Sequence, residues 1–244
     1  MSMPIIKLNA IDSTNDYLKQ LSKDSAVENF TIVMANEQTK GKGQMGSKWI
    51  SESGKNLIMS ILVADFRLEN NTIFDLNVAV ALSVLKVLQS LKISNCKIKW
   101  PNDIMADSKK LGGILIENSY KPDGSVKAVV GIGLNLNQTN FEYLPQATSL
   151  TCITDDFYSV ESLALLLRNS LVSCLQLAEQ NQESLWNDYH KNLYKINYPS
   201  PFEDKSGKQF MGIIQKVTYD GKLEVLLDDD TITYFEVKEV KMLY

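Results

Sequence analysis

The pattern of apolar and polar positions divides the chain into a long first part, where helices and strands are mixed, and a short last part of strands alone. Apolar residues recur at helical spacing over 76–91 and 163–175, which predicts two long helices, and shorter helices are expected after Asp12 and around 185–193. Runs of apolar and β-branched residues predict strands in this first part, at 30–35, 56–63, 96–100, 112–117 and 126–136.

The last part begins near 197–201, a segment that carries two of the six prolines and predicts a boundary. Beyond it, short alternating runs at 210–217, 222–227 and 231–237 predict strands joined by tight turns. We therefore predict an α+β protein with a mixed domain over 1–196 and a small β domain of SH3 type over 197–244.

Composition narrows the class of protein. Hydrophobic residues make up 44% of the chain and the formal net charge is −4, so the molecule as a whole is not built to hold a polyanion such as DNA. Cys96, Cys152 and Cys174 are far apart, which argues against a zinc site or a disulfide framework. The single histidine, His190, excludes a multi-histidine metal centre and is expected to be structural. No apolar run approaches the roughly 20 residues of a membrane span, so we expect a cytoplasmic protein.

The first candidate for chemistry is the glycine- and lysine-rich loop over 38–49. Closely spaced Gly41 and Gly43 allow backbone N–H groups to approach a ligand oxygen, and Lys42 adds a positive charge. Taken alone, such a segment is more often a solvated turn. It is not a Walker A loop, and no helix pattern follows it as in a dinucleotide-binding fingerprint.

Three further segments carry unusual polar residues or glycines. They are Lys-Trp-Pro-Asn-Asp at 99–103, Lys-Lys-Leu-Gly-Gly at 109–113, and the glycine-bearing strand at 131–137. Each has a purely structural explanation: a strand that ends in a turn, an exposed basic turn, and a strand weakened by glycine.

The order of these segments along one chain is more specific than any one of them. Over nearly its whole length the chain resembles the biotin protein ligase family, through Ser13-Thr14-Asn15, Gln38-x-x-Gly41-Lys42-Gly43-x-x-Gly46-x-x-Trp49, Lys99-Trp100-Pro101-Asn102-Asp103, Lys110-Leu111-Gly112-Gly113-Ile114-Leu115 and Gly131-x-Gly133-x-Asn135. The resemblance implies a mixed-sheet catalytic domain of the biotin/lipoate ligase type, followed by an SH3-like barrel.

The resemblance also implies a reaction in two steps. The carboxylate of biotin attacks the α-phosphate of ATP and gives biotinyl-5′-adenylate and pyrophosphate, with Mg²⁺ arriving on the ATP. A lysine of a biotin carboxyl carrier protein then attacks the adenylate, and AMP leaves. Because the first step joins two anions, cations and backbone donors are expected at the reacting centre.

Residue roles follow from the matched motifs. The implied catalytic residues are Lys110, Lys42 and Asp103. The implied biotin-binding residues are Ser13, Thr14, Asn15, Gln38, Lys42, Gly43, Gln44, Lys110 and Gly113, with apolar walls from Leu57 and 114–116. The implied ATP- or adenylate-binding residues are Gly41, Lys42, Gly43, Trp49, Lys99, Asn102, Lys110, Gly133 and Asn135.

The chain departs from the family in its glycine loop, where the common arginine positions hold Lys42, Gln44 and Ser47. We therefore expect the adenylate to leave faster than from an arginine-bearing relative. The first motif begins at Ser13, so an N-terminal DNA-binding domain and direct operator binding are not expected. A lipoate or octanoate ligase and a non-catalytic biotin-binding protein remain alternatives. A homodimer and an acetyl-CoA carboxylase carrier subunit as acceptor are expected.

Overall fold

The first part of the chain folds around a seven-stranded sheet. The computed structural model describes residues 3–24, 26–67 and 72–243. The strand order is β1-β2-β3-β7-β6-β5-β4, and the sheet is mixed because β1 runs parallel to β2 while the other neighbours are antiparallel. The strands are β1 (Ile5–Ile11), β2 (Ile32–Gln38), β3 (Leu57–Phe66), β4 (Cys96–Lys99), β5 (Asp103–Ala106), β6 (Lys109–Tyr120) and β7 (Val126–Leu134).

Helices cover both faces of this sheet. They are α1 (Thr14–Asp24), α2 (Ile73–Ser90), α3 (Leu150–Thr154), α4 (Val160–Gln180) and α5 (Gln182–Lys191). Leu18 of α1 packs against Val33, Leu62 and Val129 on one face. The alternate strand residues point the other way and pack under α2, α4 and α5 in the main core, because successive residues of a strand face opposite sides.

A second, five-stranded antiparallel sheet forms the end of the chain. Its order is β11-β10-β9-β8-β12. The strands are β8 (Pro199–Asp204), β9 (Gln209–Val217), β10 (Leu223–Leu227), β11 (Ile232–Phe235) and β12 (Val240–Met242). Among the described residues no ladder joins β11 to β12, so the hydrogen bonding does not close into a barrel.

The turn between β9 and β10 fixes the second sheet against the first part of the chain. The indole Nε1 of Trp100 donates to the carbonyl oxygen of Gly221 at 2.9 Å. Gly221 has φ +92°, and a Cβ there would lie 2.4 Å from the Cδ2 atom of Phe74, so no larger residue fits. These contacts join the second sheet to the first part of the chain beside the gap between the two sheets.

The predicted α+β class, the two long helices and the mixed sheet are confirmed. β1 and β5 were not predicted, and the segment 197–201, predicted as a boundary, lies partly within a strand because β8 begins at Pro199. Pro199 and Pro201 precede the part of β8 that pairs with β12, so they remove no donor that β12 needs.

Among the described residues, two helices are long and apolar enough to cross a membrane by length and composition, although no apolar run of that kind was expected from the sequence. They are α2, whose apolar window is 72% buried inside the fold, and α4, whose window is 33% buried. Both helices contribute buried residues to the main core. The core helices of proteins that cross no membrane pass the same test of length and composition.

Candidate functional site

A cavity of about 470 Å³ opens between β6, β7, the start of α1 and the loop 38–49. Residues from all of the predicted motifs meet in its wall, although up to 120 positions separate them in sequence. The predicted site residues that line the cavity are Ser13, Thr14, Asn15, Gln38, Lys42, Gly43, Gln44, Trp49, Asn102, Asp103, Lys110, Gly113 and Gly133.

One end of the cavity is a hydrogen-bonded polar cluster. The Thr14 hydroxyl donates to Gln38 Oε1 at 3.0 Å, and the Thr14 backbone N–H donates to the same oxygen at 2.8 Å. Ser60 is completely buried and lies 2.8 Å from the Thr14 hydroxyl and 2.6 Å from Asn15 Oδ1. The side-chain N–H₂ of Gln38 is therefore the donor of this cluster that remains for a ligand.

Two glycines of β7 explain why this strand lacks side chains at the site. A Cβ on Gly131 would lie 2.5 Å from Asn15 Oδ1, and a Cβ on Gly133 would lie 2.6 Å from the indole of Trp49. The bare backbone thus admits the polar cluster on one side and the Trp49 ring on the other. The Trp49 Nε1 atom is buried without a hydrogen-bond partner among the described residues.

The other end of the cavity carries ion pairs. Lys110 Nζ lies 2.6 Å from Asp103 Oδ1 and 5.9 Å from the centre of the Trp49 ring. Lys42 Nζ lies 2.6 Å from Asp16 Oδ2, and this hydrogen-bonded pair raises the pKa of the Lys42 ammonium. Both predicted catalytic lysines therefore form an ion pair with a carboxylate.

The charge balance of the lining is strongly positive. Five lysines face one carboxylate, Asp103, among the lining residues, and the lysines are Lys42, Lys48, Lys110, Lys238 and Lys241. A cavity of this kind attracts a polyanion even though the whole chain is acidic. Lys48, Lys238 and Lys241 are not among the site residues predicted from the sequence, and the last two come from the end of the second sheet.

Lys238 has an unusual backbone for its residue type. It sits at φ +70° in the turn that leads into β12, a region that favours glycine. Left-handed backbone costs a side-chain-bearing residue about 1–2 kcal/mol. The turn nevertheless places a lysine at the cavity.

A second cavity of about 410 Å³ adjoins the first between the two sheets. The two cavities share Gln44, Asp103, Lys238 and Lys241 in their walls. Lys99 lines this second cavity, and burial, with the nearby charges of Lys110 and Lys241, lowers its pKa to about 8, against the opposing effect of Asp103.

The structure places three predicted ATP-binding residues outside the first cavity: Gly41, Lys99 and Asn135. The Asn135 amide donates to the Thr148 carbonyl at 2.9 Å and so braces the segment before α3. Gly41 lies against the Trp49 backbone, where a Cβ would sit 2.4 Å from its carbonyl oxygen.

The predicted apolar wall is also corrected in part. Leu57 is fully buried in the core and does not line the cavity. Its neighbours Ile58 and Met59 do, together with Ile114, Leu115 and Ile132, whereas Ile116 does not.

His190 and the cysteines take no part in either cavity. The His190 ring contacts the backbone of Val217, and burial lowers its pKa. All three cysteines are free, and burial raises the pKa of the Cys96 thiol to about 11. Within the described part of the chain no group of three or more His, Cys, Asp or Glu side chains could hold a metal ion.

Comparison with known proteins assigns this architecture to a family. Residues 8–137 match the sequence model of the family described as Biotin/lipoate A/B protein ligase. The chain belongs to this family.

Relatives and solved structures agree with that assignment. The chain is 30% identical over 177 residues to the bifunctional ligase/repressor BirA of Escherichia coli, covering 71% of this chain and 54% of that protein. It is 29% identical over 217 residues to the biotin–[acetyl-CoA-carboxylase] ligase of Mycobacterium tuberculosis, covering 86% and 79%. The biotin protein ligase of Aquifex aeolicus, solved with biotin and ATP, superposes with a TM-score of 0.80 at 25% identity and 98% coverage of both chains. The chain spans about half the length of the first curated relatives it matches.

Proposed function

We propose that this chain is an ATP-dependent ligase that forms biotinyl-5′-adenylate and then transfers biotin to a lysine of a biotin carboxyl carrier protein. The observation that carries the proposal is one cavity with a polar cluster at one end and the Lys110–Asp103 pair beside Trp49 at the other. The relatives and the Aquifex structure, whose names include biotin ligation or bound biotin and ATP, support it.

The polar cluster suits the ureido ring of biotin. A cyclic urea presents N–H donors on either side of a carbonyl acceptor, so it needs both acceptors and donors from the protein. Thr14 and Ser13 supply hydroxyl groups, and Gln38 supplies an N–H₂ group. The apolar side chains of Ile58, Met59 and Ile132 then face the rest of the ligand.

The lysine-rich end suits the first chemical step. The carboxylate oxygen of biotin forms a bond to the α-phosphorus, and the bond from that phosphorus to the bridging oxygen breaks and releases pyrophosphate. Negative charge accumulates on the phosphoryl oxygens, and Lys110 is placed to offset it. Lys238 and Lys241 lie where the two cavities meet, a position that suits the outer phosphates.

Asp103 has a role in the second step. The acceptor lysine must lose a proton before its nitrogen attacks the acyl carbon of the adenylate and AMP departs. Asp103 is the carboxylate among the lining residues, and it accepts or orients that proton. Asp103 Oδ1 lies 2.6 Å from Lys110 Nζ, which holds the carboxylate near the reacting centre.

Magnesium fits the site as a companion of ATP. Asp103 is the one carboxylate among the residues that line the cavity. The described side chains therefore supply few ligands that could hold Mg²⁺ without ATP. Mg²⁺ bound to the phosphates would neutralise part of their charge.

The finer features of the architecture belong to the same proposal. We take 1–196 as the catalytic domain and 197–244 as an SH3-like domain whose β12 end completes the cavity. We further propose a cytoplasmic enzyme, in keeping with its three free cysteines, that forms a homodimer and acts on the carrier subunit of a carboxylase.

The polar cluster separates this proposal from the two alternatives. Lipoate and octanoate lack a ureido group, so they would leave the side-chain N–H₂ donor of Gln38 without a partner in a confined space. A protein that only binds biotin has no need of the five lysines in the lining.

The test is ATP-dependent labelling of a purified biotin carboxyl carrier domain, with Lys110→Ala as the control. We expect labelling with biotin, none with lipoate, and none from the variant. Pyrophosphate release with lipoate and not with biotin would replace this proposal with the lipoate ligase. Biotin binding without pyrophosphate release would replace it with the non-catalytic protein.

A further inference from the structure

The amide of Asn15 is fully engaged inside the protein. Its Nδ2 atom donates to Glu117 Oε2 at 3.0 Å and to the Leu115 carbonyl at 3.3 Å, and its Oδ1 atom accepts from Ser60 at 2.6 Å. An amide nitrogen has only two hydrogens, so Asn15 has no donor left for a ligand. Asn15 is 4% exposed, which agrees with an internal role.

The engaged amide sets the direction of the next hydrogen bonds. A carboxylate and a carbonyl only accept, so the nitrogen of Asn15 must face Glu117 and its oxygen must face Ser60. The single hydroxyl hydrogen of Ser60 then goes to Asn15. Ser60 then has no hydrogen left for Thr14, and the Thr14 hydroxyl donates its own hydrogen to Gln38 Oε1. A Thr14 lone pair is thereby left for the ligand.

Glu117 is the charged end of this series, and it is shared. Its Oε1 atom pairs with Lys19 Nζ at 3.0 Å, while Oε2 accepts from Asn15. Its charge also acts on Lys42. The Glu117 side chain is 24% exposed. One half-buried carboxylate thus accepts from two donors, Lys19 and Asn15, with a different oxygen for each.

We propose that Glu117 is a positioning residue for ligand recognition, which acts through Asn15 and Ser60 to present an acceptor from Thr14 beside the donor of Gln38. This inference rests on the proposed function, because a cyclic urea is the ligand group that matches an adjacent acceptor and donor. Glu117 itself does not line the cavity, and Leu115 and Asn15 stand between it and the ligand.

The test compares two single variants and their combination. Glu117→Gln keeps the shape but leaves one oxygen for two donors, Lys19 and Asn15. We expect the dissociation constant for biotin, measured by calorimetry without ATP, to rise roughly tenfold, as for loss of a hydrogen bond to a charged group. The KM for ATP should not change. Lys19→Met breaks the same ion pair but leaves the carboxylate for Asn15, so biotin affinity should stay at the wild-type value.

The double variant Glu117→Gln/Lys19→Met decides the matter. Without Lys19, the single oxygen of Gln at position 117 is free to turn to Asn15, and biotin affinity should recover. If the double variant stays as weak as Glu117→Gln, the inference is overturned. An unchanged Glu117→Gln variant would overturn it too. Failure of the wild-type protein to release pyrophosphate with biotin would instead refute the proposed function, and this inference with it.

Discussion

Lys110 should matter much more to the reaction than to the fold. We choose Lys110→Met, which keeps the length of the side chain and removes its charge. Lys110 pairs with Asp103 at 2.6 Å, and the two side chains are 35% and 19% exposed. The pair is half-buried, so solvent screens part of its attraction.

The effect of Lys110→Met on folding can be compared with its effect on turnover. An ion pair with this exposure contributes about 1 kcal/mol to folding. For a chain of this size, 1 kcal/mol corresponds to a fall of about 2–4 °C in the melting temperature. Removing a cation directed at the charge of a transition state lowers kcat by about 10²–10³, equivalent to roughly 3–4 kcal/mol. Catalysis should therefore fall far more than stability.

The assay is biotin-dependent pyrophosphate release, run beside a thermal melt of the same preparation. The control is Lys109→Met, which removes the neighbouring exposed lysine that lies outside both cavities. We expect wild-type turnover from the control. Turnover of Lys110→Met within threefold of the wild type, or a loss of folding that accounts for its inactivity, would refute the reasoning.

Three further outcomes follow from the same geometry. Asp103→Asn should slow transfer from preformed biotinyl-5′-adenylate, measured by carrier labelling, and an unchanged rate would exclude the proton role. Gln44→Arg should slow adenylate release in a chase experiment, because it adds a cation where the two cavities meet; faster release would contradict this. The pKa of Lys99 is lowered from 10.5 to about 8, so its buried charge costs stability below pH 8, and that cost fades as pH rises toward 10.5. Lys99→Met should therefore raise the free energy of unfolding below pH 8, with a smaller gain near pH 10.5 in denaturant titrations, whereas an equal gain at both would count against burial as the cause.

The regular elements of the fold were predictable where a pattern had room to repeat. Helix α2 runs over 18 residues with its apolar positions at helical spacing, and β7 is a long apolar run. β5 has only four residues and directly follows a proline–asparagine pair, which is typical of a turn. The sequence pattern therefore does not indicate a strand there. β1 is an edge strand with no fully buried residue, and its pattern of exposure does not alternate cleanly. Short or edge strands owe their form to neighbours that are distant in sequence.

The candidate site was predictable only in its motifs. Their order along the chain indicated that the segments 13–15, 38–49, 99–103 and 110–115 act together. Ser60 escaped notice because it lies within the apolar strand β3, and its partners Thr14 and Asn15 are 46 and 45 positions away. Lys238 and Lys241 carry no motif, and only the docking of the second sheet brings them to the cavity. Polar residues in apolar strands are the local signal that would have pointed to Ser60.

Hydrogen bonds between its own residues stabilise the glycine loop over 38–49. Ser47 donates its hydroxyl to the Gln44 carbonyl at 2.9 Å, and the Gly43 N–H donates to the Ser47 carbonyl at 2.7 Å. Lys42 is paired with Asp16 of α1. Two of the three positions that hold arginine in the family are thus occupied by residues engaged with the protein, and the third, Gln44, brings no charge. The lining lysines outside this loop are Lys110 and, from the turn and strand at the end of the second sheet, Lys238 and Lys241. We therefore expect retention of an adenylate by this chain to depend on the docking of that sheet, where an arginine-bearing relative would rely on its loop.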